Sequence, residues 1–136
     1  MHSWFFWTIL AMVTFGAWGF FPKLAVNYIN PQSALIFQVI GGLLVGFVGL
    51  AMLNFKPETH PMGILYAILT GITGVLGTLF YYFAASRGQI SIVVSLTALY
   101  PLITIMLAIV FLHETLIFKQ VLGLCFAVAA IVLLAG

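Results

Sequence analysis

Residues 81–123 read YYFAASRGQISIVVSLTALYPLITIMLAIVFLHETLIFKQVLG. They hold the end of one apolar segment, all of a second and the start of a third. Two short polar breaks, Ser86–Gln89 and His113–Glu114, separate the three. About 20 apolar residues cross the hydrocarbon core of a bilayer as a helix, and the middle segment, from about Ile90 to Leu112, is of that length. Its centre carries Pro101, with the hydroxyl residues Thr97 and Thr104 about one helical turn to either side. Long apolar blocks joined by breaks too short to fold on their own predict an all-α membrane protein whose function lies inside the helices.

Composition says the same of the whole chain. Its 136 residues are 65% hydrophobic and 4% charged, with a mean hydropathy of +1.30. A soluble domain carries about 25% charged residues because its surface meets water. Six charged side chains cannot cover a globule of this size, so the surface faces lipid and a soluble enzyme is excluded. The net charge of +2 is too small and scattered to suggest nucleic acid. One cysteine, Cys125, rules out an internal disulfide and a cysteine-rich metal site, and within its apolar run it reads as a small buried filler. Only His2 and Ser3 precede the apolar run that opens at Trp4, without the basic leader of a secretory signal. The first segment is therefore expected to remain as a helix of the mature protein, with no domain outside the membrane.

Working outward from the quoted stretch gives five spanning segments in a single domain over residues 1–136: about 4–25, 33–53, 62–85, 90–112 and 118–134. The first ends in a wet cluster of Asn27, Asn30, Pro31 and Gln32, and the second in the most polar stretch, NFKPETHP. Closed barrels also satisfy the backbone in lipid, but their short strands alternate polar with apolar residues, and these blocks do not. An odd number of spans places the termini on opposite sides. Lys and Arg near helix ends set orientation. Here Lys56 and Lys119 fall on the side of the N-terminus, and Lys23 and Arg87 on the other, which is a tie, or a bias of two to one for a cytoplasmic N-terminus if Lys23 sits inside the membrane.

Helices in lipid associate through small residues and polar contacts. Gln38, Gly42, Gly46 and Gly49 form one stripe on the second segment, and Gly123, Ala127 and Ala130 another on the fifth. Both are expected to pack helices, with Gln38 making an interhelical hydrogen bond. Gly16 and Gly19 on the first segment, and Gly71, Gly74 and Gly77 on the third, either pack or leave room for a ligand. Pro101 lacks a backbone N–H, which frees the Thr97 carbonyl and predicts a kink, with the hydroxyl of Thr97 or Thr104 expected to help satisfy it. Proline kinks also occur without function. Broken helices at mid-membrane are nonetheless where secondary transporters bind cargo, which makes Ser95, Thr97 and Tyr100 candidate lining residues. Lys23 is read either as snorkelling to the headgroups or as a cation facing a cavity. Glu114 is expected to cap the turn beside His113. Trp4, Phe5, Phe6 and Trp7 suit an interfacial belt, whereas Trp18, Tyr81, Tyr82 and Tyr100 lie deeper and need polar partners. No carboxylate pair, metal-spacing cluster or nucleophile–base arrangement is present, so neither an enzyme nor a cofactor or metal is expected.

YYFAASRGQISIVVSLTALYP, FLHETL followed by KQVLG, and the early AWGFFPKLA together resemble the EamA domain of the drug/metabolite transporter superfamily. The shared pattern is a tyrosine and alanines before a short break, a mid-helix proline, a glutamate closing the fourth helix, and a Gln and Gly, here Gln120 and Gly123, opening the fifth. The resemblance implies one half of a ten-helix inverted-repeat transporter around a central cavity. It therefore implies a dimer, and the tied charge count allows the two copies to be antiparallel. The small multidrug exporters of the superfamily couple to protons through a glutamate in the first helix, which this chain lacks. The phosphate-sugar branch uses deep basic residues, and only Lys23 could serve.

The expectation is thus a secondary transporter of small organic metabolites in the inner membrane of a bacterium. Its substrate would be lined by Trp18, Lys23, Tyr82, Ser95, Thr97 and Tyr100, with Gln38, Gly42, Gly46, Gly123 and Ala127 packing the scaffold or the dimer. The alternative is a non-transporting membrane subunit whose glycine stripes bind a second half-transporter chain.

Overall fold

The computed structural model describes residues 3–135; Met1, His2 and Gly136, with the reading placed on His2, lie outside the described residues. Every regular element among the described residues is a helix: α1 (Ser3–Ala25), α2 (Pro31–Met52), α3 (Pro61–Arg87), α4 (Ile90–Thr97), α5 (Tyr100–Leu112) and α6 (Phe118–Ala135). Four spans, Trp4–Ala25, Pro31–Met52, Pro61–Arg87 and Ile90–Leu112, are long and apolar enough to cross a membrane, with mean hydropathies of 1.5, 2.3, 1.8 and 2.3. The fifth apolar helix is shorter. Five apolar helices of these lengths fit a membrane bundle, as the sequence predicts. The chain divides into two compact units, residues 1–87 and 88–136.

In the first unit α3 packs against both α1 and α2. α1 and α3 run parallel, because Gly19 meets Tyr81 and Lys23 meets Ala85, both at a sequence offset of 62. The buried residues of this unit are Gly19, Pro22, Ala34, Thr78, Tyr81, Tyr82 and Ala85. They gather where α1 and α3 end and α2 begins. Outside that knot the helices are largely exposed, as faces that meet lipid or another chain must be.

The connectors explain the helix bounds. α2 starts at Pro31, two residues earlier than the apolar run suggests. Asn30 Oδ1 accepts the Ser33 N–H at 2.8 Å, and Pro31 takes the first helical position, where its missing N–H costs nothing. At the other end of α2, Asn54 and Phe55 turn left-handed (φ 50° and 59°), and the Phe55 N–H returns to the Leu50 carbonyl at 3.0 Å. The Phe55 ring then packs on Phe47 with centroids 6.0 Å apart. His60 accepts the Gly63 N–H through Nδ1 at 3.4 Å as α3 begins.

In the second unit α4 packs against α6. The span expected as one kinked helix from Ile90 to Leu112 is divided into α4 and α5 by Ala98 and Leu99. Pro101 cannot donate to Thr97, and the chain tightens around the gap: the Leu99 N–H bonds to Leu96 O at 3.2 Å and the Leu102 N–H to Leu99 O at 3.0 Å. The Thr97 hydroxyl does not help the freed carbonyl. It turns back to Val93 O at 2.8 Å, the usual resort of a hydroxyl within a helix.

α5 stops at His113, which is left-handed at φ 55°, with the Glu114 N–H reaching Ala108 O at 3.4 Å. Glu114 thus closes the helix through its backbone. Gln120 then starts α6, its Oε1 accepting the Ile117 N–H at 2.9 Å in half of a capping box. A left-handed L-residue costs about 1–2 kcal/mol that glycine avoids, while glycine loses more chain entropy on folding. His113→Gly is therefore expected to stabilise the protein by about 0.5–1 kcal/mol, seen as a higher midpoint for thermal unfolding in detergent.

Two other readings change. Cys125 is exposed on α6 rather than buried, because in a lipid-facing helix an apolar neighbourhood in sequence does not signify an interior. Gln38 is half-buried and its side chain makes no hydrogen bond among the described residues, so the expected interhelical bond is not formed among them.

Candidate functional site

A hydroxyl inside a membrane helix needs an acceptor, and the helix behind it supplies one. Thr8, Thr14, Thr70, Thr73, Thr78, Ser95 and Thr97 each donate to the carbonyl four residues earlier, at 2.8–2.9 Å. These side chains are satisfied without a ligand. The aromatic residues cannot reach their own backbone in this way, so their polar atoms look elsewhere.

The two adjacent tyrosines of α3 divide. Tyr81 sends its hydroxyl across to Gly19 O on α1 at 2.7 Å, and its ring lies against the Trp18 indole at 5.1 Å and 35°. Gly19 stands beside the weak point of α1, because Pro22 has no N–H to give Trp18 O one turn earlier. Tyr82 has a ring just as buried, 5% exposed, yet its hydroxyl makes no hydrogen bond among the described residues. Its oxygen is also not sealed from the surface. An unpaired phenol in an apolar setting costs free energy until water, a solute or another chain binds it.

Lys23 neither simply snorkels nor simply faces outward. Its stem is half-buried, and Nζ donates to Ala85 O at 2.8 Å. Ala85 lies in the last turn of α3, whose carbonyls lack helical partners and carry the negative end of the helix dipole. The cation is thus fixed as a cap on a neighbouring helix.

Of the six residues predicted to line a substrate, Trp18, Lys23 and Tyr82 belong to the first unit, with Trp18 against Tyr81, Lys23 bonded to Ala85 and Tyr82 buried on α3 between those two positions. Trp18 keeps 38% of its surface open. Ser95, Thr97 and Tyr100 belong to the second unit: Ser95 and Thr97 on α4 and Tyr100, 62% exposed, at the first position of α5, just past the break. Sequence reading did not assign Tyr81 and Pro22 a part in positioning. The signal was present in a second proline within a spanning segment and a tyrosine one residue from the one selected.

The glycine stripes are open. A Cβ added at Gly42, Gly46, Gly49, Gly71, Gly74, Gly77 or Gly123 would meet nothing within 4 Å. Among the described residues no neighbouring helix comes within that distance of these positions. Among the described residues no group of His, Cys, Asp and Glu is placed to hold a metal ion, and both acidic residues, Glu58 and Glu114, lie in connectors.

A chain built almost wholly of exposed apolar helices of spanning length is an integral membrane protein. It belongs to the EamA-like transporter family, whose profile matches residues 2–136. That family is part of the drug/metabolite transporter superfamily, so the class of function is transport. The chain is 33% identical over 127 residues to "Uncharacterized protein MJ1333.1" of Methanocaldococcus jannaschii, covering 93% of this chain and 92% of that one. No solved structure matches it.

Proposed function

We propose that this chain is a half-size secondary transporter that moves small organic metabolites across a plasma membrane, in a bacterium the inner one, by alternating access. Two copies, antiparallel, would rebuild the ten-helix inverted-repeat arrangement around a central site. Family membership and one five-helix set support the half-size reading. The relative, matched over 92% of its own length, is a chain of similar size. The tie between Lys56 and Lys119 on one side and Lys23 and Arg87 on the other gives little bias to either orientation.

The observation that carries the site is Tyr82, a buried ring on α3 whose hydroxyl makes no hydrogen bond among the described residues, next in sequence to the Tyr81 that packs on Trp18. An indole, a phenol and the Lys23 stem suit a solute with a flat or apolar body and at least one hydrogen-bonding group. Ser95, Thr97 and Tyr100, on the second unit, are kept in the proposal as further solute-binding residues. Thermal unfolding screened over amino acids, nucleosides, sugars and cationic dyes tests this, since a solute that binds only the folded state raises its stability by mass action. A stabilising solute is expected, and Tyr82→Phe should weaken its binding about five- to tenfold for the loss of one hydrogen bond. A screen in which Tyr82→Phe and wild type respond identically would remove Tyr82 from the site. Purified protein alone in liposomes should take up the stabilising solute. A subunit that acts only with a second kind of half-transporter chain, the reading favoured by the open glycine stripes, would not.

A further inference from the structure

The contacts between α1 and α3 are few, and their polar members are unusual in kind. Both cross from a side chain on one helix to a main-chain carbonyl on the other, in opposite directions. Tyr81 Oη donates from α3 to Gly19 O on α1, and Lys23 Nζ donates from α1 to Ala85 O on α3. The donors and acceptors are one helical turn apart on each helix, so the two bonds stand as consecutive rungs between parallel helices. Pro22 lies between the rungs on α1. A helix that has lost a hydrogen bond at a proline bends easily there, and these rungs tie down its two sides.

We infer that Tyr81 and Lys23 form a two-rung latch that fixes the C-terminal third of α1 to the end of α3 and, through the Tyr81 ring, sets the position of the Trp18 indole. Tyr81 is a positioning residue: it acts on the solute through Trp18 and does not itself bind it. This rests on the reading of Trp18 and Tyr82 as solute-binding groups, and it adds a mechanical division within α1. Beyond the latch, from Trp4 to Trp18, the helix is exposed apart from the half-buried Ala11. A Cβ at Gly16 would meet nothing within 4 Å. The latched end stays with α3 while the N-terminal part of α1 is the portion able to swing.

Trp18 reports on the latch directly once Trp4 and Trp7 are replaced by phenylalanine, which leaves it the sole indole. In that background, in lipid nanodiscs, Tyr81→Phe keeps the ring but removes the upper rung. Acrylamide quenching of Trp18 should then rise about twofold and its anisotropy should fall, as local opening becomes easier. Tyr66→Phe, at an exposed tyrosine near the other end of α3, should leave both signals unchanged, which a general loosening of the fold would not. Unchanged quenching and anisotropy in Tyr81→Phe would overturn the latch. Should that variant fail to fold, Lys23→Gln, which removes the other rung, is read in the same way, and quenching and anisotropy equal to those of the parent would overturn the inference. Neither measurement needs a solute or an uptake assay, so the latch can fail while the transport reading stands, and the reverse.

Discussion

Ala85→Leu is expected to destabilise the protein by about 1–3 kcal/mol, the cost of forcing extra methylenes into a filled site. Ala85 is 0% exposed, and its carbonyl receives the Lys23 ammonium. A leucine side chain there has no free surface to extend into and must push on the helices packed against α3. Pushing α1 away lengthens the Lys23–Ala85 bond and strains the Tyr81–Gly19 bond one turn along, so packing loss and hydrogen-bond loss arrive together. Gly77→Leu on the same helix is the control, since an added Cβ there meets nothing within 4 Å. Reversible unfolding in mixed micelles should separate the two, with Ala85→Leu clearly weakened and Gly77→Leu no less stable than wild type. Equal midpoints for all three would mean that the knot between α1 and α3 does not hold the first unit together.

The second large effect concerns assembly. Gly42 and Gly46 on α2 are spaced as close-approach residues are, yet among the described residues nothing comes within 4 Å of a Cβ added at either. If a second copy packs there, leucine at both positions should leave the unfolding of the single chain intact and weaken dimerisation by about tenfold or more, equivalent to 1.4 kcal/mol or above. Dilution in lipid followed by subunit counting reads that difference. The orientation of the copies is read from the same preparation. A cysteine at Glu58 in a Cys125→Ser background should label from both faces of the membrane when the copies are antiparallel. Labelling from one face alone would leave a single topology, and pairing with a distinct half-chain would become the better account. Retained dimerisation in the double leucine variant would move the interface away from the α2 stripe.

Much of the fold was legible because lipid imposes a simple rule: a segment of about 20 apolar residues bounded by polar breaks spans. Residues 4–25, 33–53 and 62–85 were placed within about two residues of α1, α2 and α3. The starts of α2 and α3 are set by Asn30–Pro31 and His60–Pro61, a signal carried by two residues rather than by hydropathy. The division at Ala98–Leu99 was anticipated as a kink but not as a break, because how far a chain tightens after losing one hydrogen bond depends on its neighbours. The side-chain level was less legible. Apolarity is the same word for a lipid-facing and an interior position, so Cys125 was misread, and sequence alone could not tell which tyrosine of the pair would find a carbonyl. That distinction is made by the 62-residue register between α1 and α3, a purely tertiary quantity.

The unequal fates of Tyr81 and Tyr82 bear on how such a protein could change over generations. Two neighbouring codons specify chemically identical side chains, but only the first is committed to holding helices together. If Tyr82 binds the solute as proposed, variation there would alter which molecule is gripped without loosening the frame. A lineage could therefore explore new cargoes one substitution at a time through Tyr82, while Tyr81 would be kept for the oxygen it places on Gly19.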